Sequence, residues 1–448
     1  MNSQAQDSPA LNVGIGRQII TPEKDMWMAG YASRTAPSDG KLHDLWAKAF
    51  AIEDASGARF VIVTTDLIGV SRTLTGGTFA LVSERFGIPR ENFLMTASHT
   101  HSGPVIRDNL YDMYGLDEEQ AERCRAYNEA LPGKIFAAVE MAIANLEPGT
   151  LTWGVGEAGF AKNRRKYTIG GVTNDFNPIG PVDHDVPVLA ARNASGVVKG
   201  ILVGYACHNT VLDTQQFCGD YAGYAQAYIE EKAPGAIALF AAGCGGDQNP
   251  LPRRTIELAE QYGAELGEAA LSVLDSNQMT PIHGPVRGAY KEIPLALTKA
   301  PGREEIEANL TSTNVYVQRL AQSLLKTLDE KGAIDETYPF PVQVWQFGND
   351  DLQISALGGE ATVDYSLRLK YELGRDKQFV IAYANDVCAY IPSLRVLQEG
   401  GYEGEGAMVY YGFHGPWAPQ VEEDIVAAVH ELTKQTDFDS SVAAAQAK

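Results

Sequence analysis

His99-Thr100-His101-Ser102-Gly103-Pro104 follows an apolar run, Phe93-Leu94-Met95-Thr96-Ala97, that reads as a buried strand. Side chains two apart on a strand share a face, so this spacing aims both imidazoles at one spot beyond the strand's end, a candidate metal site. The alternative is a histidine pair that caps the loop by hydrogen bonding. A third imidazole, His208, follows Gly204-Tyr205-Ala206-Cys207 in the same way, and Glu360 stands in Gly358-Gly359-Glu360-Ala361-Thr362. For Glu360 the alternative is a first-turn acid set against a helix dipole. Two imidazoles and a carboxylate are a ligand set of catalytic zinc, with one position open to water. Tyr390 lies in the loop after a further apolar run, together with Asn385 and Asp386. Asp386 and Asp247 are candidates to accept ring N–H groups, or else solvated loop acids.

These residues need strands that end together and loops that reach a common centre. Strand-like runs are expected at 11–20, 47–52, 59–64, 93–97, 151–155, 200–206, 237–241, 342–347, 352–356 and 379–383. Apolar residues at helical spacing predict helices over 117–145, 222–231, 255–274, 304–331, 362–373 and 420–434. Residues 284–298 suggest antiparallel hairpin structure. The interleaving predicts an α/β fold, a mixed β-sheet core with flanking helices and the active site at strand ends. Residues 11–436 are expected to form one catalytic domain, with 1–10 and 437–448 as flexible termini.

The chain has 448 residues, a hydrophobic content of 45% and a formal net charge of −21. Such a charge repels nucleic acid and anionic membrane surfaces, so neither is an expected partner. The clusters Arg164-Arg165-Lys166 and Arg253-Arg254 are too short to reverse that field and read as solvated turns or local anion contacts. Five scattered cysteines without a C-x-x-C pair describe neither a disulfide scaffold nor a thiolate zinc site. Cys207 beside His208 and Cys244 in a glycine-rich turn are read as buried apolar thiols rather than nucleophiles. No run is long enough to span a membrane, and residues 1–10 lack the apolar segment of a signal peptide. The expected location is cytoplasmic, or secreted or periplasmic if a leader has been removed; the oligomeric state is left open.

The ordered segments are similar to the catalytic domain of the neutral, non-lysosomal ceramidases. That resemblance rests on the 98–104 histidine stretch, Asn163-Arg164, His208, Gly-Gly-Glu360-Ala-Thr, Tyr390, and Tyr402 twelve residues later. It implies a Zn2+ ion held by His99, His208, Glu360 and Tyr390. His101 would then serve proton transfer, and Arg164 and Tyr402 would contact the substrate. His43 falls where the family has a related segment, so it is expected to line the pocket. His184, between Asp183 and Asp185, is read as a substrate-pocket or structural residue, and His414 as one that could face the cleft. Zinc would lower the pKa of water towards about 7 and so supply a nucleophile at neutral pH.

The resemblance has two gaps. In Gly243-Cys244-Gly245-Gly246-Asp247-Gln248-Asn249-Pro250, Asn249 stands opposite the family's serine; an amide cannot accept an acyl group but can donate to an oxyanion. Because little sequence follows its last motif, the chain is also expected to lack the family's C-terminal β domain. The expectation is therefore a zinc-dependent hydrolase of an N-acyl amide, smaller or more polar than ceramide. A zinc esterase or deacetylase acting on an acylated sugar or metabolite, and a noncatalytic binding protein on a hydrolase scaffold, are the alternatives. In either enzymatic case the partner is a small N-acyl or O-acyl compound.

Overall fold

The computed structural model describes residues 11–276, 278–348 and 350–437, so the termini expected to be flexible lie outside the described residues except for Asp437. A nine-stranded mixed sheet forms the centre. Its path runs Ile237–Ala242, Val198–Tyr205, Asp185–Asn193, Glu147–Glu157, Leu11–Ile19, Trp46–Glu53, Arg59–Thr65 and Phe93–Ala97, with Thr280–Ile282 paired to Glu147–Glu157. Parallel pairing occurs at the two edges, where Val198–Tyr205 meets Ile237–Ala242 and Arg59–Thr65 meets Phe93–Ala97. A four-stranded sheet of Val286–Ala296, Thr337–Phe347, Leu352–Leu357 and Gln378–Ile381 covers one face.

Alternation along the strands decides which layer each side chain joins. Trp345 and Phe347 pack between the sheets with Phe60, Leu94 and Leu202, while Val342 and Val344 face the other way, towards the helix Val421–Thr436. Helices Arg72–Phe86, Glu118–Ala144, Asp220–Lys232 and Ile256–Asp275 cover the remaining face of the large sheet. The layers therefore run helix, sheet, sheet, helix, which is the expected mixed α/β core with flanking helices. Helix starts follow local chemistry: Ser71, Asp117 and Thr255 each accept a backbone N–H of the first turn. Helix Glu118–Ala144 presses directly on the first strand, where a Cβ at Gly16 would stand 2.2 Å from the Ala138 carbonyl oxygen.

Three expectations change. The helix predicted over 304–331 is broken into Arg303–Ala308, a 3-10 turn at Asn309–Thr311, and Val315–Lys331 capped by Asn314. Residues 284–298 do not close on themselves; Val286–Ala296 pairs with Thr337–Phe347 across that helical excursion. Helix Arg72–Phe86 was not expected, because Gly76-Gly77 and four threonine or serine residues blur its apolar stripe.

The strands ending at the site are stitched together by the loops that follow them. Asn385 N–H donates to the Met95 carbonyl at 2.7 Å and Ala382 N–H to the Ala242 carbonyl at 2.9 Å, so one segment joins both edges of the large sheet. Thr100 and Asn209 form a parallel bridge, and Glu360 pairs in parallel register with Tyr390. Among the described residues no helix is long and apolar enough to cross a membrane.

Candidate metal centre

His99 and His101 converge by a different route from the one their spacing predicts. The strand stops at Ala97, and a turn with His99 at φ 61° carries both rings. The rings stand edge to face at 4.7 Å, with their Nε2 atoms 3.1 Å apart. His99 Nδ1 lies 2.6 Å from the Ile68 carbonyl and His208 Nδ1 lies 2.7 Å from the Gly245 carbonyl. A carbonyl only accepts, so each Nδ1 carries the proton and each Nε2 presents a bare lone pair.

Both lone pairs point at one carboxylate oxygen. Glu360 Oε2 is 3.1 Å from His99 Nε2 and 3.2 Å from His208 Nε2, with all three side chains buried. The other oxygen, Oε1, accepts the Tyr411 hydroxyl. Gly359 sets this carboxylate: at φ 65°, it passes where a Cβ would stand 2.4 Å from Ile391 Cγ1. Burial pushes the Glu360 carboxyl up, whereas protons on the facing His99 and His208 rings would outweigh it and hold the carboxyl well below the usual range, so positive charge placed between these groups favours the carboxylate. Burial, followed by the charge of Arg164, lowers His208 to about 4, so this ring is neutral at pH 7. Nitrogen lone pairs and an anionic oxygen aimed at one point are a donor set that a divalent cation satisfies. His101 belongs to the same cluster: the ligand atoms of His99, His101 and His208 lie within 4.8 Å of one another. Its ring is packed against Gly30 and its Nδ1 is buried without a partner among the described residues.

Tyr390 connects this cluster to a buried arginine. Its hydroxyl lies 2.9 Å from His208 Nε2 and accepts Arg164 Nη2 at 3.0 Å. Arg164 also donates through Nε to Glu403 Oε1 at 2.7 Å and through Nη1 to Asn249 Oδ1 at 3.2 Å. Strand pairing brings these together, since Gln248–Pro250 runs antiparallel to Ala161–Asn163. With Oδ1 turned to Arg164, the Asn249 amide has its Nδ2 donor to offer. Tyr402 sits at the rim, 37% exposed, on a π-helical turn, with its ring 5.3 Å from Tyr390. A cavity of about 220 Å³ opens on His99, His101, Glu360, Tyr390 and Tyr402, walled further by Tyr31, Ile68, Leu110, Met113, Tyr410 and Tyr411.

Several candidates are placed elsewhere. His43 is turned into the wall, with Nε2 3.1 Å from Cys218 Sγ and its ring against Tyr224, so it does not line this cavity. His184 borders a separate cleft with Asp183, Asp185 and Lys370, and its Nε2 meets the Ala161 carbonyl at 2.9 Å. His414 binds the Thr298 carbonyl on the surface. Asp386 and Asp247 hold no ring: Asp386 takes the Tyr338 hydroxyl and Arg72 N–H, and Asp247 takes Val363 N–H and the Asn163 amide. Backbone carbonyls of Ile68 and Gly245 do the orienting instead. The thiols of Cys207 and Cys244 are buried and pushed well above their ordinary pKa by burial.

Sequence reading missed Glu403, Tyr383, Tyr411 and the Gly30-Tyr31 wall. Glu403 had a signal, since two buried arginines demand a carboxylate and Glu403 follows the rim tyrosine. The Tyr383 ring lies tilted against His99 with centroids 4.5 Å apart, but in sequence it reads as the last residue of a strand.

The model for the neutral/alkaline non-lysosomal ceramidase N-terminal domain matches residues 11–252. The neutral ceramidase of Pseudomonas aeruginosa is 31% identical over 262 residues, covering 56% of this chain and 38% of that protein. Neutral ceramidase A of Dictyostelium discoideum is 25% identical over 265 residues, covering 55% and 37%. The matched segments thus span well under half the length of these curated relatives. The crystal structure of the Pseudomonas aeruginosa neutral ceramidase shares the fold, with a TM-score of 0.71 at 23% identity over 95% of this chain and 75% of that one. With more than half of its length matched by the family's own domain and that fold preserved beyond the matched segment, this chain belongs to the neutral/alkaline non-lysosomal ceramidase family.

Proposed function

We propose that the chain is a zinc-dependent hydrolase of N-acyl amides, with His99, His208, Glu360 and Tyr390 as the residues that hold the ion. The observation that carries this reading is the pair of unprotonated Nε2 atoms facing Glu360 Oε2 at 3.1 and 3.2 Å. When bound, zinc supplies Lewis-acid polarisation and a nucleophile available at neutral pH. His101, kept neutral by burial and by the neighbouring rings, has Nε2 placed to take a proton from water and return it to the leaving amine. Arg164, Tyr402 and the Asn249 amide are the donors that bind the acyl carbonyl and the oxyanion it becomes. Asn249 has no hydroxyl, so water attacks the carbonyl directly and no acyl-enzyme forms.

Metal analysis tests the centre. One zinc per chain, lost in the His99→Ala, His208→Ala double variant, is the expected result; a metal-free native protein of equal stability overturns the reading. Mass spectrometry during turnover tests the route, and an acyl adduct on Ser102 or Cys244 would replace water as the first nucleophile. Hydrolysis of ceramide well above that of short N-acyl compounds would overturn the expectation of a smaller substrate.

A further inference from the structure

The pair Arg253-Arg254 has no part in the site described so far, yet Arg254 packs on Tyr31, a wall of the cavity. Arg254 Nη1 donates to the Tyr31 hydroxyl at 2.8 Å, and its guanidinium lies 5.0 Å from the centre of that ring. Tyr31 walls the cavity, and its ring stands 4.9 Å from that of His101. One aromatic ring thus separates Arg254 from the imidazole cluster. Arg253 Nη1 meets the Thr210 hydroxyl at 3.4 Å, two residues after His208, and among the described residues no carboxylate pairs with it. Arg254 is engaged on one side by Asp213, 3.4 Å from its Nε.

The backbone makes this placement costly. Arg254 has φ 94°, a conformation that L side chains rarely adopt, and it is pinned there by its N–H donating to the Val211 carbonyl at 2.7 Å. Strain of this kind clusters at ligand clamps. Charge argues the same way. The chain carries −21 overall, yet four arginines gather around Tyr31 and the cluster; Glu403 pairs with Arg164 and Asp213 with Arg254, whereas among the described residues Arg34 and Arg253 have no carboxylate partner. Guanidinium charge without a carboxylate partner beside the cavity of an acidic protein draws in an anion that the bulk field would turn away. The cavity itself, about 220 Å³, is smaller than the roughly 300–1,000 Å³ of pockets for drug-sized ligands. It has room for a short acyl group.

We propose that Arg253, supported by Arg254, binds a carboxylate on the amine part of the substrate, which makes the substrate class short-chain N-acyl amino acids. This rests on the amide-hydrolase reading for its chemistry but not for its recognition. A planar guanidinium fork matches a carboxylate through two parallel N–H donors, a geometry that lysine cannot reproduce.

Binding separates the two ideas. Metal-stripped wild-type protein and the R253Q variant are titrated calorimetrically with N-acetyl amino acids, the matching carboxamides, and N-acetylethanolamine phosphate, and the zinc-loaded enzymes are assayed on the same compounds. The acids are expected to bind wild-type protein at least tenfold tighter than their carboxamides, with the gap closing to within twofold in R253Q. Equal binding of acid and carboxamide, or a gap unchanged in R253Q, overturns the proposal. Tighter binding of the phosphate than of every acid also overturns it, in favour of a phosphate-bearing substrate. If the acids bind as expected but are not hydrolysed by the zinc-loaded enzyme, carboxylate recognition stands and the hydrolase reading falls.

Discussion

Arg164 Nη2 donates to the Tyr390 hydroxyl at 3.0 Å, so one phenol oxygen is shared between a buried guanidinium and His208 Nε2. The arginine favours negative charge on that oxygen, whereas burial alone pushes the phenol far above its ordinary pKa. Tyr390→Phe removes the oxygen and leaves the ring. Loss of a proposed ligand oxygen should weaken zinc affinity by more than the about 10–100-fold that losing an outer partner of a ligand costs. Turnover at saturating zinc should fall further, because Arg164 loses the acceptor that orients it. Zinc titration of the stripped variant, followed by kcat at full occupancy, separates the two effects.

Glu403 anchors both arginines, accepting Arg164 Nε at 2.7 Å and Arg165 Nη1 at 2.6 Å, with side-chain exposure of 2%. Burial pushes its carboxyl up, but the adjoining Arg164 and Arg165 charges outweigh that and hold it below the usual range. Removing one partner of a buried ion pair strands the other charge at a cost of about 3–5 kcal/mol. Glu403→Gln should therefore lower the unfolding free energy measured by urea denaturation by that order and reduce kcat by releasing Arg164. A stability change under 1 kcal/mol would mean the arginines find other acceptors, and Glu399 is the neighbour placed to supply one to Arg165.

The layered fold and the cluster were legible to the extent that each depended on local pattern. Phe93–Ala97 is a continuous buried run with a functional turn behind it, and its limits follow from sequence alone. Strand Asp185–Asn193 was hidden because Pro187 cannot donate to a ladder; it is tolerated because it pairs with Val155, beyond the stretch joined to Val198–Tyr205. The ring orienters were illegible for a different reason. Ile68 and Gly245 act through carbonyl oxygens, which every residue possesses, so no side-chain type marks them. His43 illustrates the converse: a histidine-aspartate pair attracts attention in sequence, yet its ring fills the space left by Gly219 and Gly223.

Gly30 decides how His101 sits. Its φ is 97°, and a Cβ there would stand 2.4 Å from the His101 ring. Gly30→Ala should cost about 1–2 kcal/mol in backbone strain and push the imidazole aside. With His101 as proton carrier and His99, His208, Glu360 and Tyr390 as ligands, zinc content should stay at one per chain while kcat drops about 10²-fold. Zinc lost in parallel with activity would instead make His101 a ligand, which its position 3.1 Å from His99 Nε2 also permits.

Asp386 supplies a pH signature through a carboxyl bonded to Tyr338 and Arg72 rather than to any of the proposed ligands. Burial raises its carboxyl from 3.8 to about 6, against the Tyr338 hydroxyl bond and the Arg72 charge, which lower it. The folded pKa lies above the unfolded one, so the native state holds the proton more tightly. Stability from this group is full below about pH 4 and is lost as pH rises through about 6, by about 3 kcal/mol in all. Asp386→Asn keeps an acceptor for Arg72 N–H and cannot ionise. Urea unfolding of both proteins from pH 4 to pH 8 should show wild-type stability falling relative to the variant between about pH 4 and 6, with a constant gap above. A gap independent of pH would mean that Asp386 is ionised throughout, with the Arg72 guanidinium, 3.5 Å from Oδ2, outweighing its burial.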